Sequence, residues 1–343
     1  MDFGFDDTQS AVREAMDGIL SRGPGSGEVW PMLHDSGLLA LAIPEEYGGA
    51  GLGAVEVGIV SRALGGAALT SPFLGTAIAG LVASRAVVEP QVSDWCKGVM
   101  DGDVTAVCVR AAGERELPRL DGKNHLISGV FGPAQHSGEA RWLLVPTTGG
   151  PVLVDLAQPG ITAATVETAL ATAEPTAPPD AQFTLDAVKV TPLLSGTDAV
   201  GVFTDLYRTV FLSYASGLLH GALRLTADHL GSREQFGRPL ATFQAASQEI
   251  ADVYVLATAL ESISLYCDWT LDSGGRPSAD LDAGLFLFAG EGRAAMQMCH
   301  HLHGGLGVDT TFPMHRYFSS TKDVVRHCGG ERHNLTRLAT HCS

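Results

Sequence analysis

The sequence predicts a mainly α-helical protein with a central β domain: an N-terminal α-helical domain, a middle antiparallel β-barrel and a C-terminal four-helix bundle. Three observations carry this. Apolar residues recur at helical spacing through the first hundred residues; short β-branched runs broken by Gly, Pro and Asp follow from Val104; the helical period returns near Thr197 and persists. The boundaries fall at 1–103, 104–195 and 196–343.

Val12, Met16, Ile19 and Leu20 form the stripe of a first helix from Asp7 to about Leu20, ended by Ser21-Arg22-Gly23-Pro24. Trp30, Leu33, Leu38 and Leu39 suggest a second. Stretches from Val55 to about Leu64 and from Pro72 to about Val88 read as two more. Strands are expected at 104–109, 125–130, 141–146, 151–155 and 182–185, and Ala171–Ala181, with three prolines, as a surface loop. In the last part, Leu206, Val210, Tyr214, Leu218 and Ala222 mark one long helix, and Ile250, Val253, Ala257 and Leu260 a second. Leu281–Cys299 and Met314–Arg326 supply a third and fourth, and Leu335–Thr340 a short final piece.

Composition excludes several classes of function. The 343 residues carry a net charge of −16, and the 22 Lys and Arg are scattered, so no basic stripe points to nucleic acid. No uninterrupted apolar run reaches membrane-spanning length, and Met1-Asp2-Phe3-Gly4-Phe5-Asp6-Asp7 lacks the basic-then-apolar order of a signal peptide; a cytoplasmic location is expected. Six cysteines without CxxC spacing read as free thiols. Cys299, His300, His301 and His303 could be read as a metal cluster, although a zinc site needs three or four converging ligands. No metal is expected.

The most informative stretch is Arg233-Glu234-Gln235-Phe236-Gly237-Arg238-Pro239-Leu240 with Phe243-Gln244, between the two long helices. A guanidinium fork suits phosphate oxygens, Gly237 permits a turn, and Phe243-Gln244 adds an aromatic face and an amide, which together suit a nucleotide diphosphate. The alternative is a helix-ending Arg beside a Gly-Arg-Pro turn. The glycines of Ile43-Pro44-Glu45-Glu46-Tyr47-Gly48-Gly49-Ala50-Gly51-Leu52-Gly53 look like a phosphate cradle, but no Lys or strand–turn–helix context accompanies them.

Three motifs in register resemble the acyl-CoA dehydrogenase family over essentially the full chain: Pro44-Glu45-Glu46-Tyr47-Gly48-Gly49, Arg233-Glu234-Gln235-Phe236-Gly237 with Phe243-Gln244, and His301-Leu302-His303-Gly304-Gly305-Leu306-Gly307. The resemblance implies α,β-dehydrogenation of an acyl-CoA thioester with FAD as hydride acceptor, a carboxylate removing the α-proton. The two positions where the family places that base fall here on Cys328 and Tyr207, neither a carboxylate. Glu331, three residues beyond Cys328, is the remaining candidate. The family's flavin-ring and thioester segments match Arg110-Ala111-Ala112-Gly113-Glu114-Arg115, Gly132-Pro133-Ala134-Gln135-His136-Ser137 and Gly330-Glu331-Arg332, and all three depart from its pattern.

The family's cross-interface contacts to a neighbour's FAD are kept at Arg233, Gln235, Phe236, Gln244, Gly304 and Gly305, with His301 where Gln is usual; Arg208 is kept beside the base position. The expectation is a chain that has lost its own catalytic base and lends FAD contacts to a catalytic acyl-CoA dehydrogenase subunit. It would then resemble the short subunit of actinobacterial α2β2 heterotetramers acting on CoA thioesters of steroid side chains. The alternatives are a self-sufficient homotetramer using Glu331 and a non-enzymatic scaffold of the same fold.

Overall fold

A computed structural model describes residues 4–86, 90–108, 117–120, 125–166 and 179–341. Five helices come first: α1 (Asp7–Leu20), α2 (Ser26–Asp35), α3 (Ala54–Gly66), α4 (Phe73–Ala83) and α5 (Pro90–Met100). The fourth stops at Ala83, short of the expected Val88. The fifth was not anticipated, although Val92, Trp95, Cys96 and Val99 bury one face at helical spacing. Asp6 caps α1 through the Gln9 N–H, and the Gln9 side chain accepts in return from the Asp6 N–H, closing a capping box.

Six strands follow: β1 (Thr105–Val107), β2 (Leu126–Ala134), β3 (Trp142–Thr147), β4 (Gly150–Asp155), β5 (Ile161–Val166) and β6 (Asp180–Pro192). They form one curled sheet of order β1-β3-β4-β6-β2, with β5 also on β6. The expected sheet is antiparallel throughout, but β1 pairs with β3 in parallel. Strand β6 is much longer than the 182–185 expected. It pairs with β2 and β5 through its first half and with β4 through its second, and the register shift on its β2 side coincides with Ala187 at φ +50°. Most of the 171–181 loop lies outside the described residues, while Asp180 and Ala181 already belong to β6.

The C-terminal part holds α6 (Ala199–Ser232), a hairpin of β7 (Glu234–Gln235) and β8 (Arg238–Pro239), α7 (Gln244–Asp272), α8 (Ser278–Leu287), α9 (Arg293–His303), α10 (Met314–His327) and α11 (Gly330–Thr340). The expected third bundle helix is real but contains a π turn at Phe288–Gly292, where Gly292 leaves room for the Phe288 ring. By length and composition α7 could cross a membrane, yet Val253, Ala257, Leu260 and Cys267 are buried in the bundle core.

Two hydrophobic cores result. The sheet has its own, while the N-terminal helices and the bundle share the other, joined mainly through α3 and α6. These two helices approach to backbone contact. A Cβ on Gly65 would stand 2.2 Å from the Tyr214 carbonyl oxygen, one on Gly217 would stand 2.1 Å from that of Arg62, and one on Gly221 would stand 2.3 Å from that of Gly66. Beside this seam, buried Asp268 accepts from Arg62 at 2.5 Å and from the Ser213 hydroxyl at 3.0 Å, and burial raises its carboxyl to about 7. Asp272, one turn on, accepts from the Ala54 and Val55 N–H groups at 2.7 and 2.8 Å and so caps α3 from α7.

Gly65→Ala tests the seam. Alanine favours a helix by roughly 1 kcal/mol, but overpacking against the Tyr214 carbonyl costs more, so a net loss of about 1–2 kcal/mol is expected in urea denaturation.

Candidate functional site

The residues singled out by the sequence separate into two places on α6. Tyr207 lies in its third turn, 2% exposed, with its ring stacked on Phe211 at 4.5 Å and tilted against Phe203 at 6.4 Å. The Phe211 ring continues to the His327 imidazole at 5.6 Å. Cys328, just past the end of α10, is buried beside this stack. Burial pushes its thiol up to about 12, and burial together with the nearby Cys328 pushes the Tyr207 phenol well above its ordinary range. Neither group can take a proton near neutrality as an anion.

Charged groups lock the same region. Arg208 is buried and pairs with Asp282 at 2.5 Å while donating to the Asn334 side chain at 2.7 Å. Asp282 also receives Arg337 at 2.8 Å and His341 at 2.9 Å, and Asn334 ties back to the Cys328 and Gly330 carbonyls. On the sheet side, Arg326 donates to Asp180 at 2.6 Å, His327 lies 3.4 Å from the same carboxylate, and the His136 N–H reaches its other oxygen at 3.2 Å. The segment 132–137 is thus bound to β6 and α10 through Asp180. Burial works to raise the Asp180 carboxyl, but His327 and Arg326 outweigh it and hold the group below its ordinary value. Glu331 is exposed in the first turn of α11 and lies over Gly290 of the π turn. The 110–115 loop is outside the described residues.

At the other end of α6 the chain is open. A groove of about 710 Å³ is lined by Arg233, Gln235, His301, Gly304 and Gly305, together with His229 and His303, which the sequence reading had not assigned to it. The hairpin builds one wall. Its turn places Phe236 and Gly237 at φ +54° and +79°, and the Leu240 N–H bonds the Arg233 carbonyl, closing the hairpin onto the helix end. The other wall is the end of α9. Gly304 turns the chain at φ +58° and ψ −135°, and a Cβ at Gly304 or Gly305 would meet nothing within 4 Å, so these positions leave open space.

Among the described residues no carboxylate lines the groove, in a protein of net charge −16. Two of the seven expected residues stand outside it. Phe236, 93% exposed, projects from the hairpin tip against the edge of Phe243 at 6.3 Å, and Gln244 is exposed in the first turn of α7. Arg238 covers the Phe243 ring at 4.1 Å. Among the described residues no three His, Cys, Asp or Glu side chains converge as a metal site; the His303 Nδ1–H instead donates to the Cys299 carbonyl at 2.8 Å.

Comparison with known proteins places this geometry. Residues 9–103 match the acyl-CoA dehydrogenase N-terminal domain and residues 195–331 the acyl-CoA dehydrogenase C-terminal domain. The acyl-CoA dehydrogenase FadE28 of Mycobacterium tuberculosis is 32% identical over 348 residues, covering 100% of this chain and 99% of its own. The chain belongs to the acyl-CoA dehydrogenase family. Among solved members of this family, a chain of the ChsE4–ChsE5 complex from Mycobacterium tuberculosis superimposes with a TM-score of 0.89 at 25% identity, covering 100% and 99% of the two chains. A chain of the Tcur3481–Tcur3483 steroid ACAD does so with 0.87 at 28%, covering 97% of each. The acyl-CoA dehydrogenase of Geobacillus kaustophilus shares the fold, with a TM-score of 0.85 at 16% identity over the full length of both.

FAD is the cofactor of this family, and the groove's donors fit part of it. A guanidinium, a primary amide, imidazoles and two side-chain-free backbone positions, with no carboxylate, suit a diphosphate and its nucleoside. The buried region around Tyr207 offers no corresponding set.

Two outcomes test these assignments. Native protein treated with iodoacetamide is expected to leave Cys96, Cys108, Cys267, Cys299 and Cys328 unmodified by mass spectrometry, all five labelling after denaturation; labelling of native Cys328 would revive it as a reactive thiolate. Asp180→Asn is expected to cost about 1–2 kcal/mol at neutral pH, allowing for the partly open Arg326. Because the folded-state carboxyl is depressed, this contribution is present above the unfolded value and is lost as pH falls through the folded one. The gap between wild-type and variant melts should therefore close below about pH 4.

Proposed function

We propose that this chain is a subunit of a heteromeric FAD-dependent acyl-CoA dehydrogenase that lacks its own catalytic base and lends FAD contacts to a catalytic partner. The carrying observation is the division along α6: the family's base positions are sealed by aromatic packing and ion pairs, while the carboxylate-free groove at Arg233 stays open. At a rise of about 1.5 Å per residue, Tyr207 and Arg233 stand about 39 Å apart, farther than one dinucleotide spans. The groove therefore suits a cofactor whose reacting end lies in another chain.

On this reading Arg233 holds the pyrophosphate by its guanidinium fork, and Gln235, His301 and the Gly304-Gly305 backbone border the adenosine side. The exposed, strained Phe236 and the helix-starting Gln244 complete the surface once the partner covers them. When bound, FAD would supply the acceptor for the β-hydride of the acyl thioester, and the base would come from the partner. The assembly is an α2β2 heterotetramer in the cytoplasm, and the likeness to chains of the ChsE4–ChsE5 complex and the Tcur3481–Tcur3483 steroid ACAD supports a steroid side-chain thioester as substrate.

Produced alone, the chain is expected to be colourless or insoluble. Co-produced with the dehydrogenase encoded beside it, it should give a yellow complex carrying about one FAD per heterodimer, and Arg233→Ala should lower FAD content about tenfold or more under dilution. A yellow, active homotetramer from this chain alone would overturn the proposal in favour of Glu331. An FAD content unmoved by Arg233→Ala would leave the motif structural and favour the scaffold.

A further inference from the structure

The groove contains a pair of imidazoles that the cofactor reading does not use. His229, one turn before Arg233 on α6, stacks on His303 of α9 with ring centroids 4.6 Å apart and planes inclined by 27°. Phe312 backs His303 from the other side at 5.0 Å. The His303 tautomer is set by its surroundings: Nδ1–H donates to the Cys299 carbonyl, so in the neutral ring Nε2 carries a lone pair, and that atom is buried with no hydrogen-bond partner among the described residues. His229 is only partly buried and lines the groove, so it is the member of the pair that a bound phosphate can reach.

Among the described residues, the polar side chains that line the groove with His229 are Ser232, Arg233, Gln235, His301 and His303, with no carboxylate. Arg233 on its own helix and His303 on α9 are the charged or titratable neighbours that act on it, Ser232 and Gln235 border the same space, and His301 lies across it. No carboxylate stabilises an imidazolium here. Burial first, then His303 and Arg233, hold His229 below its ordinary value, so near neutrality it is neutral while the groove is empty. A bound pyrophosphate would reverse the balance by placing negative charge against both Arg233 and His229.

We infer that His229 is a second phosphate-facing cation of this groove, protonated as the nucleotide binds and positioned by its stack on His303, so that nucleotide affinity rises as pH falls. The inference rests on the cofactor-lending reading and adds to it a specific proton. Its sign follows from linkage: the bound state has the higher His229 pKa, binding takes up a proton, and affinity gains as pH drops through the bound-state value. His303 is a positioning residue, since it acts through the ring it supports.

The test is calorimetric titration of the co-produced complex, stripped of cofactor, with ADP-ribose, whose pyrophosphate diester keeps its charge between about pH 6 and pH 8. Wild-type is expected to bind about threefold or more tightly at the lower pH, with measurable proton uptake from buffers of different ionisation enthalpy. His229→Gln keeps a donor but no titration and should bind with a flat pH profile. His229→Phe keeps the stack and should be both weaker and flat, while His301→Phe should retain the wild-type slope. A pH slope preserved in His229→Gln, or abolished only in His301→Phe, overturns the inference while leaving the cofactor reading intact. If wild-type and Arg233→Ala are alike in failing to bind at either pH, the cofactor reading itself fails and the inference falls with it.

Discussion

The close approach of α3 and α6 is the constraint on which the rest of the structure depends. Three glycines, Gly65, Gly217 and Gly221, let the two backbones meet where any Cβ would strike a carbonyl or a facing side chain, and the Arg62–Asp268 pair sits beside this seam. The geometry fixes α6 in rotation as well as position, because a helix turned by one residue would bring larger side chains against α3. Everything functional then follows from which residues α6 carries at each end. Tyr207 and Arg208 must face inward among α8, α10 and α11, and His229 and Arg233 must emerge where α9 ends.

The two ends differ in how their charged groups are paired. Around Arg208, Asp282 receives Arg208, Arg337 and His341 and Asn334 bonds Arg208 in turn, while Asp180 is shared by Arg326, His327 and a backbone N–H; the buried Arg208 Nε and Arg326 Nη1 find no partner among the described residues. Such networks cost desolvation and recover part of it by pairing each charge with several partners, so they fit a region settled for packing. At the groove a bulky residue stands at positive φ with its ring in solvent. Strain of this kind persists where something outside the chain compensates it.

How much of this was legible in the sequence depended on the range of the interaction. Stripes such as Leu206, Val210, Tyr214 and Leu218 announced α6, and the buried face of α5 was equally readable from Val92, Trp95, Cys96 and Val99. Strand β5 was not, because its Ala- and Thr-rich middle residues are exposed on one edge of the sheet and show no alternation. The groove was half legible: the Arg233 hairpin and the Gly304-Gly305 turn carry local signatures, but the His229–His303 stack joins residues from different helices. The ion networks were illegible for the same reason, Arg208 meeting Asn334 and Arg326 meeting Asp180 across long stretches of chain. Nothing local distinguishes a Tyr sealed in a stack from one lining a pocket.

Electrostatics ties the two ends together. With a net charge of −16, the protein as a whole repels a nucleotide, so any affinity must come from a local reversal of sign. Among the described residues the groove does this with no carboxylate in its lining and Arg233 set among imidazoles, which add donors beside a single fixed cation. A Lys or Arg in place of His229 would bind an anion more strongly, but would set two fixed cations side by side when the groove is empty. An imidazole held neutral by burial and by its neighbours avoids that cost and acquires charge only when a phosphate is present to balance it. On the proposed reading, in which the chain presents half a site to a partner, this couples the charge of the surface to whether the site is filled.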